Sequence, residues 1–470
     1  MPRTIVPFGE YKPDEAPHMT NGLLTADGVY PIANGYEPIG QFATSAAALS
    51  GTFKGAAAFI DDAGNSRFIA GNATNLYYLN GLTWTSVIGS RTVGDRWRFT
   101  QFGNEIICCD GAAPVAFNLT AATAAALAGS PPTADLCATV RDFVVLGRTA
   151  GDNNVVSWCD IGDAHDWSGG LAGSQPLYSG GKVMGLTSGE YCIILQRYAL
   201  KRMSYTGDAN DPWQFDEIST NYGCMSEGSV IQAGRMVFFY SDRGFVMCDG
   251  TDVTPIGVER VNVTFRNSYS DREIQQMWSA FDPVRTLAVW ILPGKLWIYN
   301  WTLDRWAVAT MDAYSGFTSF SSAISIDALD AIYGNLDSIT LSLDDPRFAG
   351  GEPRLTLVNL AGTFGVLTGE AMEVTLEHPW MEFAGDRQAR VRRVRPIADL
   401  PSTGTTLHTS TRKRLGGTLE NNIYTTMNSH GDFPVREAGK HMKNKLVIEA
   451  GADWTYAQGL EVEYALGNRI

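Results

Sequence analysis

Charged residues, histidine and long apolar runs are all scarce in this sequence. Only 18% of the 470 residues are charged and six are histidine, whereas about a quarter of an average soluble domain is charged. No apolar run approaches the roughly 18 residues needed to span a bilayer. Residues 1–20 also lack the apolar core of a secretory signal. We therefore expect a soluble chain without a membrane-spanning helix.

Cysteine is confined to one part of the chain. All seven cysteines lie between Cys108 and Cys248. An odd number with this distribution argues against a disulfide scaffold and favours reduced, buried thiols in a protein made in a cytoplasm. The adjacent Cys108 and Cys109 would point to opposite faces of a strand, which places them poorly for binding one metal ion.

Familiar catalytic motifs are missing as well. The sequence has no G-x-S-x-G elbow, no Gly-Lys-Ser/Thr phosphate loop and no metal-type histidine spacing. Histidine and acids cluster only around His165, and acids alone cluster at Asp208, Asp211, Asp216 and Glu217. A metal or acid–base site is one interpretation, but turns whose Asp side chains accept backbone N–H groups explain both clusters more simply. We predict no catalytic residue, no metal site, no cofactor and no enzymatic activity.

Glycine and aromatic residues are abundant instead. The chain has 49 glycines, 11% aromatic and 44% hydrophobic residues, which excludes a disordered chain. Short β-rich runs alternate with turn pairs such as Asp110-Gly111, over a larger period of about 40 to 50 residues typical of propeller blades. We predict an all-β fold with a β-propeller of about six blades over residues 46–345. Two unrelated β-sandwiches would produce the same strand lengths.

Both ends of the chain differ from this central part. Residues 1–45 carry six prolines and predict an extended N-terminal arm. Alternating runs return over residues 346–470 and predict a β-sandwich-like domain. That last region has a net charge of +1 against −15 for the remainder. Short helices are predicted over residues 119–128 and 271–280.

One basic cluster falls in the C-terminal region, with valines between its members. It consists of Arg387, Arg390, Arg392, Arg393 and Arg395. Alternation along a strand would place these guanidinium groups on both faces of a sheet. They are candidates for contact with DNA phosphates or for pairing with acids of a neighbouring subunit, such as Glu377 and Glu382. The acidic bulk of the chain favours subunit pairing.

Several segments together resemble the tail nozzle (tail hub, or packaged-DNA stabilisation) proteins of short-tailed bacteriophages. The arm carries FGEYKPD at 8–14, GLLTADGVYP at 22–31 and GYEP at 35–38. The stretch VVSWCDIGDAHDW at 155–167 is similar to another element of that family. The most specific match is FFYSDRGF at 238–245, followed by DG at 249–250 and PIG at 255–257. The order continues with FDP at 281–283, VW at 289–290, YN at 299–300 and RW at 305–306.

The resemblance implies a structural protein of the virion tail, made in the host bacterial cytoplasm. Such proteins form a ring of six copies below the portal and its adaptor, retain packaged double-stranded DNA and conduct it at ejection. It also implies contacts with the head–tail connector and with tail fibre, spike or needle proteins, without membrane insertion. A propeller glycan hydrolase (a depolymerase) and a carbohydrate-binding receptor module of a virion are the alternatives.

Overall fold

The chain folds almost entirely into β-strands, which confirms the predicted all-β class. The computed structural model describes residues 2–18, 20–81, 83–321, 351–385 and 387–469. Within these ranges, no helix is long and apolar enough to cross a membrane.

The first 46 residues contain five strands, four of which pair with distant parts of the chain, while the third pairs with the fourth. They are β1 (Arg3–Pro7), β2 (Thr25–Asp27), β3 (Val29–Ile32), β4 (Gly35–Pro38) and β5 (Gly40–Ala46). The segment predicted to be an extended arm over 1–45 is thus built into the two sheets of a C-terminal sandwich and into the propeller. Local proline content does not reveal this, because the partners of these strands lie hundreds of residues away.

Six consecutive four-strand meanders form the greater part of the propeller. Blade 1 is β6 (Phe53–Ile60), β7 (Ser66–Asn72), β8 (Leu76–Asn80) and β9 (Thr83–Ile88); blade 2 is β10 (Arg98–Phe102), β11 (Glu105–Cys109), β12 (Val115–Asn118) and β13 (Thr123–Ala126). Blade 3 is β14 (Leu136–Val140), β15 (Phe143–Gly147), β16 (Val155–Trp158) and β17 (Gly173–Pro176); blade 4 is β18 (Val183–Leu186), β19 (Tyr191–Gln196), β20 (Leu200–Tyr205) and β21 (Trp213–Ser219). Blade 5 is β22 (Ile231–Ala233), β23 (Met236–Ser241), β24 (Gly244–Cys248) and β25 (Val253–Pro255); blade 6 is β26 (Trp278–Asp282), β27 (Leu287–Leu292), β28 (Lys295–Asn300) and β29 (Arg305–Ala309).

A seventh blade closes the ring, so the described residues form seven blades where the sequence predicts about six. It consists of β30 (Ser315–Phe320), β31 (Pro353–Val358) and β32 (Phe364–Ala371), with the N-terminal strand β5 as its outermost strand. Phe364 pairs with Ala46 and Ala371 with Gly40. This blade combines residues from both ends of the propeller, which conceals it from a search for local repeats. The predicted domain boundary at 345/346 lies outside the described residues.

The C-terminal region is a two-sheet sandwich, as predicted. Its strands are β33 (Val374–Glu377), β34 (Met381–Glu382), β35 (Arg387–Ala398), β36 (Thr405–Arg412), β37 (Asn421–Thr426), β38 (Glu437–Gly439), β39 (His441–Ile448) and β40 (Ala457–Arg469). One sheet has the order β3-β4-β40-β35-β38, with β1 also paired to β40. The other sheet has the order β2-β33-β39-β36-β37 and continues through β2 into blade 6.

One hydrophobic core is shared by the propeller and the sandwich. It joins Phe245 and Trp306 of blades 5 and 6 to Val391, Leu446 and other residues between the two sandwich sheets. These aromatic side chains are fully buried, and buried aromatics contribute strongly to packing energy. Because the core is continuous, we expect the two units to behave as one rigid body.

In the described chain α-helix is confined to two short segments, α1 (Asn262–Ser268) and α2 (Asp271–Gln276). The second lies within the predicted helix over 271–280, whose last three residues instead begin β26, and it starts with a capping box between Ser270 and Glu273. The alanine-rich helix predicted over 119–128 is wrong, because its central residues Thr123–Ala126 form β13, the outer strand of blade 2. Pairing with β12 overrides the helix propensity of alanine there.

Candidate functional site

A network of charged side chains crosses the mouth of the propeller bore. Glu227 stands just before the inner strand of blade 5, and its carboxylate accepts hydrogen bonds from Arg148 of blade 3 and from Lys182, which precedes blade 4. The Lys182 Nζ lies 2.7 Å from Glu227 Oε1. Arg98 of blade 2 donates across the ring to the Glu227 carbonyl oxygen at 3.2 Å. Four blades therefore meet at one acidic residue.

Arg96 extends this network to blade 6. Its Nη2 donates to the carbonyl oxygens of Gln276 at 3.1 Å and Met277 at 2.8 Å. Its guanidinium carbon lies 4.0 Å from the ring centroid of Trp278, which is cation–π geometry. The side chain is only 7% exposed. The mouth of the bore is therefore bridged by side chains from opposite sides of the ring.

Burial and neighbouring charges explain how these groups titrate. Burial alone would raise the pKa of the Glu227 carboxyl, but Arg148 and Lys182 outweigh burial and hold that pKa below its usual range. Burial, followed by repulsion from Arg98, lowers the pKa of Arg96 to about 10. Both groups are charged at neutral pH, so the network joins the blades through ion pairs at Glu227 and through charged hydrogen bonds to backbone carbonyls.

Four of the five arginines of β35 lie on a single face of the sandwich. Ala389, Val391 and Val394 point into the core, whereas Arg387, Arg390, Arg392 and Arg395 are exposed and Arg393 is half-buried. The alternation predicted to place these arginines on both faces is interrupted, because a β-bulge between Val391 and Arg393 shifts it by one residue. Arg390, Arg392, Arg393 and Arg395 therefore share the outer surface of the sheet, and Arg387 is exposed at the beginning of the strand.

Two of these arginines are paired within their own chain. Arg393 Nη2 lies 2.8 Å from a Glu463 carboxylate oxygen, and Arg395 Nε lies 2.8 Å from Asp432. Arg3 of β1 reaches the same Glu463 at 3.3 Å. Arg393 and Arg3 thus fix β35 and β1 to Glu463 of β40, and Arg395 fixes β35 to Asp432 in the loop before β38.

The acids predicted to receive these arginines are engaged elsewhere in the same chain. Glu377 Oε1 lies 2.7 Å from Lys443 Nζ. Glu382 Oε1 lies 3.1 Å from His441 Nδ1. If the arginine face binds another subunit, its acidic partners therefore lie in a different part of that subunit.

The acidic loops noted in the sequence form turns. Asp166 accepts backbone N–H groups from Ser168 and Gly169, and these bonds lower the pKa of its carboxyl. His165 Nε2 lies 3.0 Å from Glu105 Oε2. Asp208 accepts the N–H of Asn210 at 2.9 Å. In the part of the chain that the structure describes, no group of three or more His, Cys, Asp or Glu is arranged to hold a metal ion.

The cysteines are free thiols. Six are buried and Cys137 is half-buried. Burial raises the pKa of Cys192 and of Cys224 to about 12, so these thiols stay protonated at neutral pH and act as small apolar side chains.

A cavity of about 340 Å³ opens beside the bore mouth. Asp95, Glu273 and Asp312 contribute carboxylates to its lining, next to Trp278 and Tyr314. Asp95 pairs with Arg96 at 3.3 Å. Glu273 is held by Ser270, which lowers the pKa of its carboxyl. The general acid of a glycosidase requires a raised pKa instead.

A junction between the N-terminal strands and blades 5 and 6 was not foreseen from the sequence. Arg260 lies 3.2 Å from Glu10 and also pairs with Asp304, which accepts the Tyr299 hydroxyl at 2.8 Å. Burial raises the pKa of Glu10 even though Arg260 opposes it. Asp14 accepts the N–H groups of two residues of α1. The bonds of Glu10 and Asp14 join residues about 250 positions apart, and no local pattern predicts them.

Comparison with known proteins gives a likeness in fold alone. No family model matches the sequence, and no curated protein matches it. The extracellular domain of the BT4673 system from B. thetaiotaomicron is 11% identical with a TM-score of 0.43, over 83% of this chain and 48% of that one. The chain thus spans about half the length of that structure.

Two smaller solved structures show a similar degree of likeness. The Pan2 WD40 domain of Neurospora crassa is 8% identical with a TM-score of 0.40, over 68% of this chain and 91% of that one. BamB from Moraxella catarrhalis is 11% identical with a TM-score of 0.37, over 77% of this chain and 99% of that one. The chain is a β-propeller fused to a β-sandwich, as its own sheets define.

Proposed function

We propose that this chain is a structural virion protein, the nozzle of a short-tailed phage tail, which assembles into a ring that retains and conducts double-stranded DNA. The observation that carries the proposal is the position of the segments on which the family resemblance rests. Phe8 and Tyr36 from the N-terminal segments, Phe238 and Phe245 from the most specific match, and Trp306 from the last one all belong to one shared core. Residues spread over 300 positions thus form a single junction.

Hydrogen bonds at this junction support its structural importance. Tyr36 donates its hydroxyl to the Gly9 carbonyl at 2.8 Å, and the Trp306 indole donates to the Ile256 carbonyl at 2.9 Å. The residues that carry the resemblance therefore pack the N-terminal segment, the propeller and the sandwich against one another. The wall of a DNA conduit needs units that are packed together in this way, because it must withstand the pressure of the packaged DNA.

Closure of the propeller adds to this stiffness. With β5 completing the seventh blade, the ring has no open gap between its first and last blades. Closed β-architectures protect their edges and resist deformation. A rigid subunit of this kind suits a scaffold better than a protein that closes around a small ligand.

The bridged bore mouth favours a DNA path between subunits rather than through one propeller. Arg98 and Glu227, from opposite sides of the ring, lie in contact there. A duplex would have to break these contacts to pass along the propeller axis. The net charge of −14 would also limit phosphate binding to the outer surface. Both points support a conduit that forms only when several copies surround a common axis.

Electron microscopy of the purified chain, with and without the head–tail adaptor, tests the proposal. We expect rings with a central opening, either alone or seated on the adaptor. Single copies that ignore the adaptor and hydrolyse a polysaccharide would instead support the depolymerase alternative. Single copies that bind a glycan without cleaving it would support the receptor module.

A further inference from the structure

The far end of the sandwich carries a basic surface assembled from three parts of the chain. We define the distal basic surface as Arg390, Arg392, Lys413, Arg414 and Arg436, all of which are exposed. Strand β38 connects these parts, since Arg390 pairs in register with Ala438. The side chain of Asn421, at the end of the loop that holds Lys413 and Arg414, bonds Glu437 of β38. The sequence cluster over 387–395 therefore continues onto a second and a third segment.

Little negative charge within the chain balances this surface. Glu420 lies 2.8 Å from Lys413, and Glu437 is bonded to Asn421. Among the described residues, Arg390, Arg392, Arg414 and Arg436 form no ion pair, in contrast to Arg393 and Arg395 further along. The bulge in β35 thus separates an internally paired half of the arginine face from an outward-facing half.

Exposed apolar side chains accompany the basic ones. In the same loop Leu415 is 44% exposed and Leu419 is 52% exposed. A surface that combines arginine with exposed leucine is typical of a protein interface.

A complementary surface exists on the propeller of this same chain. Residues 149–181 hold four aspartates and no lysine or arginine, and residues 203–226 hold four acids and again no basic residue. The loops between the third and fourth strands of blades 3 and 4 present Asp163, Asp208 and Asp211, each exposed. These loops occupy equivalent positions in neighbouring blades and therefore lie on the same end of the propeller.

We propose that the distal basic surface binds the acidic loops of blades 3 and 4 in a second copy of this chain. The inference rests on the proposed ring-forming function and names its interface. The sandwich is built on blade 6, whereas blade 3 lies across the seven-bladed ring from blade 6 and blade 4 is the neighbour of blade 3. Two different complementary surfaces on opposite sides of one subunit make a head-to-tail contact, which closes into a ring when its rotation allows. Electrostatic complementarity then sets the register between copies.

Reversing the charges on each of the two surfaces tests this interface. Association of the full chain is measured by sedimentation. Arg390→Glu/Arg392→Glu reverses the basic surface, and Asp163→Lys/Asp208→Lys/Asp211→Lys reverses the acidic loops. We expect each variant alone to lose at least about tenfold in association. An equimolar mixture should reassociate, because each reversed surface then faces its complement. Wild-type association should weaken in 500 mM NaCl, because salt screens exposed charges.

A matched control carries the same change in net charge elsewhere. Arg235→Glu/Arg272→Glu alters two exposed arginines of blade 5 and α2, and we expect it to associate like the wild type. If the wild type forms rings and Arg390→Glu/Arg392→Glu does so equally well, this interface is wrong while the nozzle function stands. If the wild type stays single even with the adaptor, the proposed function itself fails. If the reversal lowers only the affinity of single copies for duplex DNA, the surface binds phosphate instead.

Discussion

The carboxylate of Asp14 bonds the backbone N–H of Thr264 at 2.8 Å, across 250 residues of sequence. It also accepts the N–H of Val263 at 2.7 Å and the Thr264 hydroxyl at 2.6 Å. An N-terminal residue thus caps the short helix α1, whose own preceding residue Val261 provides no side-chain cap. The cap shows that the N-terminal segment is part of the folded body.

Replacing this remote cap should destabilise the protein measurably. We expect Asp14→Ala to lower the free energy of unfolding by about 1 kcal/mol, the usual cost of losing an N-cap, and Asp14→Asn to lower it less. Urea denaturation measures the difference. Asp62→Ala, at an exposed turn, is the control and should match the wild type. Equal stability of Asp14→Ala and the wild type would show that the cap contributes nothing.

Neutralising Glu227, the acid at which the bore network converges, should destabilise the protein. Glu227→Gln leaves Arg148 and Lys182 without their shared carboxylate, and breaking a buried pair in this way costs about 3 kcal/mol. Arg148 is 7% exposed and has Asp135 as its other partner at 3.0 Å. Thermal unfolding with and without the substitution measures the loss. Glu217→Gln, at an exposed position, serves as the control. An equally small effect of both changes would contradict the stabilising role of Glu227.

The Glu227 carboxylate should also affect how the stability of the protein depends on pH. Its pKa is lowered in the folded state, so the unfolded chain binds this proton more readily. Glu227 therefore contributes stability above its unfolded pKa of about 4.3, and the contribution is lost as the pH falls through the lower folded pKa. We expect the free energy of unfolding of Glu227→Gln to fall less steeply from pH 7 to pH 3 than that of the wild type. Urea denaturation at each pH measures both. Parallel curves would exclude this linkage.

Removing the N-terminal strands should unfold more than a local segment. Deleting residues 1–46 removes the outer strand of blade 7 and four strands that pair within the sandwich sheets. We expect the shortened chain to lose its cooperative thermal transition, because Tyr36, Leu23 and other core residues go with it. Circular dichroism during heating tests this. A sharp transition within a few degrees of the wild type would show that the segment is a dispensable arm after all.

The sequence predicts those features of the fold that depend on local patterns. Glycine-containing turns and alternating runs identify the strands of blades 1 to 6, and the change in charge identifies the sandwich. The seventh blade is not predictable in this way, because Ala46 pairs with Phe364. A local pattern contains no information about a partner more than 300 residues away.

The candidate sites follow the same rule. The arginines of β35 are visible as a cluster in the sequence, but the bulge that brings Arg393 and Arg395 to the face of Arg390 depends on pairing with β40. The bore network joins Arg96 and Arg98, at the start of blade 2, to Glu227 in the loop before blade 5. Each looks like an ordinary surface residue in the sequence. Only the circular arrangement of the blades brings them together.

The strand that finishes the propeller has a consequence for biosynthesis. Strand β5 leaves the ribosome early, whereas its partner β32 begins at Phe364. At about 5 to 20 residues per second, the early strand waits on the order of tens of seconds for its partner. During that time both its edges are available to chaperones, to nascent neighbours or to misplaced pairing. Translation rate and truncated messages should therefore influence how much of this protein reaches its native form.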